Sequence, residues 1–139
     1  MRVLLDTCVL SELRDPQGNP RVRSAVDLVD SQSLFLSVIS VGQIAKGIRL
    51  LKDGKKKQDL RRWLQALEKN YDDRILLVDL EISHTWGELT AEAQEMGNVV
   101  PASDGLIAAT ARHHGLRVMT RNTEHFEAAG ALVINPWTE

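Results

Sequence analysis

The sequence has few of the features that mark a secreted, membrane-spanning or disulfide-stabilised protein. It contains one cysteine, Cys8, which excludes an internal disulfide and is typical of a protein made in a reducing compartment. No apolar run approaches the roughly 18 residues that a membrane-spanning helix needs. The first residues, Met1 to Asp6, contain no apolar stretch of signal-peptide length. We therefore expect a cytoplasmic protein without a membrane partner.

The sequence also lacks a strong charge of either sign. Its formal net charge is −2, so the chain as a whole is not an electrostatic binder of nucleic acid. Basic residues concentrate around Lys55–Lys57, which we interpret as a solvated helix face, with phosphate contact as the sharper alternative. Neither G-x-x-x-x-G-K nor G-x-G-x-x-G occurs, and no serine lies in a nucleophile elbow. These nucleotide-binding motifs and that class of hydrolase are therefore not indicated.

Short apolar runs alternate with longer amphipathic ones along the chain. The short runs have the length and composition of buried strands, and helical periodicity lies between them. A chain of 139 residues is long enough to bury one core. We predict a single α/β domain over residues 1–139 with a mostly parallel central sheet. The predicted strands begin at Val3, Leu34, Ile75, Leu116 and Leu132.

Two carboxylates stand at the ends of predicted elements. Asp104 and Gly105 open a run of Ala, Leu and Ile that is typical of a buried helix. An acid in the first helical turn is favoured by the helix dipole and can face a cleft. Asp6 directly follows the first strand, where open α/β sheets place their ligands. For both residues, capping of the following helix is the plainer alternative.

Two amide side chains occupy comparable positions. Gln43 lies one turn inside the helix expected after the second strand, for which Ser40 is the predicted N-cap and Gln43 its predicted capping-box partner. Asn122 follows the strand at 116–120. Oxygen ligands of this kind suit Mg²⁺ or Mn²⁺, and the reaction they favour is metal-assisted hydrolysis of a phosphodiester. A metal-dependent phosphatase acting on small substrates would use the same acids.

Four segments carry a recognisable pattern: LLDTCVLSEL at 4–13, SVISVGQIAKGI at 37–48, ASDGLIAATARHHGL at 102–116 and MTRNTEHF at 119–126. In this order, and with the closing VINPW at 133–137, they resemble the PIN-domain family, and within it the VapC and FitB branch of bacterial toxin–antitoxin ribonucleases. The resemblance implies an α/β/α sandwich and a Mg²⁺- or Mn²⁺-dependent endoribonuclease toxin that cleaves structured RNA of the tRNA or rRNA class. It also implies a homodimer held silent by a VapB-like antitoxin.

The resemblance implies a role for each candidate residue. Asp6 and Asp104 match two acids of the family and would bind the metal, while Asn122 matches a fourth, less strict acidic position. Gln43 stands where the family has Glu. An amide carries no charge and is not a general base, so the change is either a natural weakening or a deliberate inactivation. The rival hypothesis is a catalytically impaired PIN-fold module that acts by binding antitoxin or RNA.

Two further expectations concern surfaces. The helical segments at 20–31 and 40–70 hold more apolar side chains than we expect a thin outer layer to bury, so we predict a groove for an antitoxin segment there. Phosphate contacts are expected from the basic residues near the predicted site. The candidates are Arg49, Lys52, Lys55 and Arg121.

Overall fold

A computed structural model describes residues Met1 to Glu139, in which strands and helices alternate. The strands are β1 (Val3–Leu5), β2 (Leu34–Ser37), β3 (Ile75–Leu76), β4 (Arg117–Met119) and β5 (Val133–Ile134). The helices are α1 (Thr7–Arg14), α2 (Pro20–Asp27), α3 (Val38–Arg49), α4 (Lys55–Asn70), α5 (Leu80–Glu95), α6 (Ala102–His114) and α7 (Thr123–Ala128). None of the helices is both long and apolar enough to cross a membrane.

The five strands form one parallel sheet in the order β3-β2-β1-β4-β5. The predicted α/β class with a parallel central sheet is confirmed. The chain leaves β1 toward β2 and β3 on one side and later returns to β4 and β5 on the other. The sheet therefore reverses its direction of growth between β1 and β4, and ligands of open α/β sheets bind at the carboxyl ends of such a strand pair.

An apolar cluster lies on each face of the sheet. Val3 and Leu5 point into one cluster and Leu4 into the other, as the alternation of side chains along a strand requires. All three side chains are fully buried, which explains the continuous apolar run of β1. Helices α1 to α4 cover the first cluster, and α6 and α7 cover the second, so the layers are helix, sheet and helix.

Helix α3 begins earlier than the sequence predicted. Ser37, the last residue of β2, is its N-cap, and the Ser37 Oγ accepts a hydrogen bond from the Ile39 amide at 3.0 Å. Ser40, the predicted N-cap, lies inside the helix and its buried hydroxyl has no hydrogen-bond partner. The prediction failed because strand and helix share Ser37 without a loop between them. Gln43 consequently lies in the second turn of α3.

Helix α6 approaches α5 closely because of Gly105. A Cβ atom at this position would lie 2.9 Å from Thr90 Cγ2 and 2.9 Å from the indole of Trp86. Only glycine allows this approach without displacing the two side chains. Gly115 ends the helix in the left-handed conformation with a φ of 67°. The close packing fixes the start of α6, where Asp104 stands.

The basic run at 55–57 is not wholly a solvated face. Lys57 is only 4% exposed, and its Nζ donates to the Arg49 and Leu51 carbonyls at 3.2 and 3.1 Å. It also pairs with Asp53 at 3.1 Å. A lysine at this point satisfies carbonyls that the end of α3 leaves without partners. The expectation of a solvated face was therefore wrong for Lys57, and it is correct for its two exposed neighbours.

The apolar side chains of the outer helices are mostly buried inside the protein itself. Those of α2 and most of those of α3 belong to the first cluster. The premise that they needed a partner was wrong for the buried residues, because α2, α3 and α4 pack on the same face of the sheet. Leu51, Leu60, Trp63 and Leu67 are only partly buried. The buried residues are Val22, Val26, Val29, Ile44 and Ile48.

Candidate active site

Asp6 stands at the carboxyl end of the central strand. Its backbone amide donates to the Met119 carbonyl at 3.0 Å, which extends the pairing of β1 with β4 by one residue. Its Oδ1 accepts from the Thr7 amide at 2.8 Å, so Asp6 is also the N-cap of α1. The capping and site hypotheses are therefore compatible, because capping uses only one of the two carboxylate oxygens.

Thr120 holds the second oxygen of Asp6. Its Oγ1 donates to Asp6 Oδ2 at 2.8 Å and accepts from the Asn122 amide at 2.9 Å. Thr120 is fully buried, so this bond is shielded from water. The Asn122 side chain makes no capping bond to α7 and is exposed. It lines a shallow pocket of about 240 Å³ together with Arg121, Thr123, Glu124 and His125.

Gln43 reaches the same edge of the sheet from α3. Its Oε1 accepts a hydrogen bond from the Thr7 hydroxyl at 2.7 Å. Thr7 therefore contacts two candidate residues, since its amide binds Asp6 and its side chain binds Gln43. This bond places Gln43 beside Asp6, as the sequence predicted. The predicted capping role of Gln43 is wrong, because its amide group bonds to a side chain of α1.

Asp104 contributes the second carboxylate from the first turn of α6. Its side chain is 12% exposed, and Oδ2 lies 2.8 Å from His125 Nδ1. Helix α6 has no side-chain N-cap bond, so Asp104 is not used as a cap. The plainer alternative of a capping role is therefore wrong for Asp104.

The two carboxylates are close enough to affect each other. Burial raises the pKa of Asp6 above its ordinary value, and the negative charge of Asp104 raises it further. Hydrogen bonds from Thr120 and Thr7 act in the opposite direction but do not offset the burial. A cation bound between the two carboxylates would offset their electrostatic repulsion.

Cys8 lies against the same carboxylate. Its Sγ is 3.6 Å from Asp6 Oδ2 and 3.7 Å from Thr120 Oγ1, and it accepts from the Arg121 amide at 3.4 Å. Burial raises the pKa of the Cys8 thiol, and the charge of Asp6 acts in the same direction. The group is therefore a neutral thiol that fills the space beside Asp6.

The donor set fits a hard divalent cation that keeps several waters. It contains two carboxylates with the amide oxygens of Gln43 and Asn122 nearby, and Mg²⁺ is commonly bound by one or two carboxylates with water and substrate phosphate completing its shell. No group of three or more His, Cys, Asp or Glu side chains is placed to hold a metal. The catalytic and metal-binding roles of Asp6, Gln43, Asp104 and Asn122 stay predictions.

His125 was not among the residues singled out from the sequence. It is 21 positions from Asp104 and belongs to a different helix, so no spacing rule connects them. The only sequence signal that could have pointed to His125 is its position next to Phe126, a fully buried residue that anchors the short helix α7. Of the predicted phosphate contacts, Arg121 lies at the site and its guanidinium is 5.3 Å from the Trp137 ring centroid.

Comparison with known families agrees with this geometry. The PIN domain model matches residues 3–132, which is nearly the whole chain. The chain therefore belongs to the PIN-domain family, and within it to the branch of VapC- and FitB-like toxins of toxin–antitoxin systems.

Individual relatives match along their full length. The chain is 40% identical to toxin FitB of Neisseria gonorrhoeae, covering 97% of this chain and 98% of the relative. It is 33% identical to the tRNA(fMet)-specific endonuclease VapC of Shigella flexneri, covering 99% of both. The crystal structure of FitAcB from Neisseria gonorrhoeae matches with a TM-score of 0.92 and 39% identity, covering 99% of both chains.

Proposed function

We propose that this protein is a metal-dependent endoribonuclease toxin whose target is a structured RNA of the tRNA or rRNA class. The observation that carries the proposal is the pair of carboxylates, Asp6 and Asp104, at the edge of the sheet where its strand order reverses. The relative named as a tRNA(fMet)-specific endonuclease supports the choice of RNA.

Asp6 and Asp104 are the residues that would hold Mg²⁺ or Mn²⁺, with help from the side-chain oxygens of Gln43 and Asn122. A bound ion of this kind supplies an activated water and stabilises negative charge on the scissile phosphate. Thr120 and the Thr7 amide keep the Asp6 carboxylate oriented through hydrogen bonds of 2.8 Å each. Arg121 is exposed beside Asn122, and it is a candidate for binding a phosphate of the RNA.

Gln43 weakens this site in two ways. It brings no negative charge to the cation, and its amide does not take a proton from water. Its Oε1 is also already engaged by the Thr7 hydroxyl. We therefore expect low metal affinity and slow cleavage from the chain as it stands.

The decisive experiment compares three proteins: the chain as given, Gln43→Glu, and Gln43→Glu combined with Asp104→Asn. A unit charge about 4 Å from another contributes roughly 4 kcal/mol at an effective dielectric near 20, before desolvation is subtracted. A net gain of only about 1.4 kcal/mol is tenfold in affinity. We expect Gln43→Glu to bind Mg²⁺ at least about tenfold more tightly and to cleave a tRNA and rRNA mixture faster, and the double variant to lose both gains.

Equal metal affinity and equal cleavage in all three proteins would remove the acidic cluster as the site. Tighter Mg²⁺ binding by Gln43→Glu without any RNA cleavage would favour the binding module that acts through antitoxin or RNA. That alternative has one observation in its favour, the absence of a third carboxylate from the cluster. Cleavage of small phosphate esters in place of RNA would favour the phosphatase.

A groove next to the site is the proposed location of the antitoxin. It has a volume of about 280 Å³ and begins at Thr7 and Gln43. Its apolar floor is formed by α3 and α4, and Arg14 and Lys56 supply positive charge at its side. The match to the FitAcB structure supports a protein partner. The apolar lining residues are Ile44, Ile48, Leu51, Leu60 and Trp63.

This location can be tested by coexpression with the product of the adjacent antitoxin gene. We expect Leu60→Glu, a charge placed in the groove, to reduce copurification of the antitoxin. Leu132→Glu, at an exposed residue just before β5, is the matched control and should retain it. Equal retention by both variants would place the antitoxin elsewhere. The proposed homodimer is tested on the same samples by the mass of the particle in solution.

A further inference from the structure

His125 makes the only hydrogen bond of the Asp104 side chain. Its Nδ1 is 2.8 Å from Asp104 Oδ2. A carboxylate oxygen accepts hydrogen bonds, so this contact is a hydrogen bond when the imidazole Nδ1 carries the proton. The His125 side chain is 43% exposed, whereas the Asp104 side chain is 12% exposed, so the carboxylate is the more deeply buried of the two groups.

The carboxylate would otherwise be free to rotate. Asp6 has hydrogen bonds to both of its oxygens, from the Thr7 amide, the Thr120 hydroxyl and the Cys8 thiol. Asp104 has no capping bond to its own helix, and Oδ2 has the one bond to His125. The orientation of the second carboxylate therefore depends on a single side chain.

The element that carries His125 is suited to hold a side chain in place. Phe126 is fully buried in the cluster beneath the sheet, and Ala129 is 1% exposed. These residues anchor α7, although the helix has only six residues. A hydrogen-bond donor fixed to an anchored backbone orients its acceptor better than a donor on a mobile loop.

We propose that His125 is a positioning residue of the candidate site, which holds the Asp104 carboxylate through Oδ2 and leaves its second oxygen, Oδ1, free for the divalent cation that Asp6 and Asp104 would hold. The inference rests on the proposed function, since it concerns the same site. Groups that hydrogen-bond to a metal ligand fix its direction, and their loss commonly weakens metal binding by about 10- to 100-fold. His125 acts here through Asp104 and does not itself bind the metal.

The test measures Mn²⁺ binding to the protein without RNA, by calorimetry or by the EPR signal of free Mn²⁺. His125→Phe keeps a ring of similar size but has no donor, and we expect it to weaken binding about tenfold. His125→Asn places an amide N–H near the position of Nδ1, and we expect it to stay within about twofold of the parent. His84→Phe is the matched control, since His84 is exposed on α5, and it should bind like the parent.

Two results would overturn the positioning role: Mn²⁺ binding by His125→Phe that equals the parent, or binding by His125→Asn that is as weak as that of His125→Phe. The ¹⁵N spectrum of the parent's imidazoles gives an independent readout that needs no variant. We expect His125 to carry its proton on Nδ1 and to lose that preference in Asp104→Asn, and a proton on Nε2 would reject the hydrogen bond.

Different results would reject the positioning role of His125 and the metal-dependent function. A parent that binds Mn²⁺ and cleaves RNA, with no change in His125→Phe, rejects the role of His125 alone. A parent and a Gln43→Glu variant that both bind no Mn²⁺ reject metal dependence and the positioning role together. Thermal unfolding of every variant accompanies the titrations, and a His125→Phe protein that does not fold leaves His125→Asn and the ¹⁵N spectrum to decide.

Discussion

The two carboxylates of the site are held in different ways. Asp6 belongs to the sheet: its amide extends the pairing of β1 with β4, and its side chain bonds to residues that directly follow these strands. Asp104 belongs to a helix, and its side chain is held by His125 alone. The sheet half of the site, Asp6 and Thr120, is therefore positioned by the backbone hydrogen bonds of the sheet. The helix half, Asp104, His125 and Gln43, is positioned by side-chain packing.

This difference teaches which parts of the site are rigid before a metal arrives. Asp6 and Thr120 are buried and hydrogen-bonded to each other, so their geometry is set by folding. Asp104 and Gln43 each have one partner, Gln43 is exposed, and His125 is partly exposed. We expect the helix half to adjust when a cation binds and the sheet half to stay as it is.

The largest expected effects come from removing each charge in the Gln43→Glu background. Asp6→Asn and Asp104→Asn should each reduce RNA cleavage by more than about 100-fold, equivalent to roughly 2.7 kcal/mol of transition-state stabilisation. They should differ in stability. Asp6→Asn removes a buried charge and should raise the midpoint of thermal unfolding of the metal-free protein, while Asp104→Asn should change it little. Equal shifts in both variants would contradict the comparison.

Thr120→Val should mainly damage the sheet half. It removes the donor to Asp6 Oδ2 and the acceptor of the Asn122 amide, both in a buried place. Leaving buried groups without partners costs about 2–3 kcal/mol of unfolding free energy, which urea denaturation measures. Thr120→Ser retains the hydroxyl and should recover most of the loss. If the valine and serine variants are equally destabilised, packing of the threonine methyl group contributes as much as the hydrogen bonds.

Gly105→Ala should affect the helix half. A new Cβ 2.9 Å from Thr90 and Trp86 has to push α5 and α6 apart, at a cost of about 1–2 kcal/mol. Because the shift moves the start of α6, Mn²⁺ affinity should fall as well. Gly87→Ala on α5 is the control, since its Cβ would meet no atom within 4 Å. A Gly105→Ala protein as stable as Gly87→Ala would show that the close approach is not constrained.

The smallest expected effect is a pH dependence that belongs to Asp6. Its pKa is raised in the folded protein, so between the unfolded and folded pKa values the folded state binds more protons. Protonation relieves the cost of the buried Asp6 charge, so the free energy of unfolding rises as the pH falls from neutral toward the unfolded pKa. Mn²⁺ binding weakens over the same range. Unfolding midpoints of the parent and Asp6→Asn across mildly acidic pH check this, and parallel curves would contradict it.

The sheet half could be predicted from sequence and the helix half only in part. Val3–Leu5 is a continuous apolar run followed by an acid, and a buried parallel strand has to place that acid at its carboxyl edge. Asp104 stands out as a charge that opens an apolar helix. The link to His125 was not predictable, because it depends on how α6 and α7 pack and on a rotamer. Ser40 and Lys57 were misjudged for a similar reason, since their burial is decided by neighbouring elements.

The pairing of Asp6 with Met119 and Thr120 also determines when the site forms during synthesis. More than 110 residues separate the partners, so their contact is among the most distant along the chain. A nascent chain that ends before β4 has Asp6 but has neither Thr120 nor His125. Contacts of high sequence separation form late, and here the ribosome delays them further. The candidate site is therefore completed by residues 120–125, and a chain that terminates before them lacks these contacts.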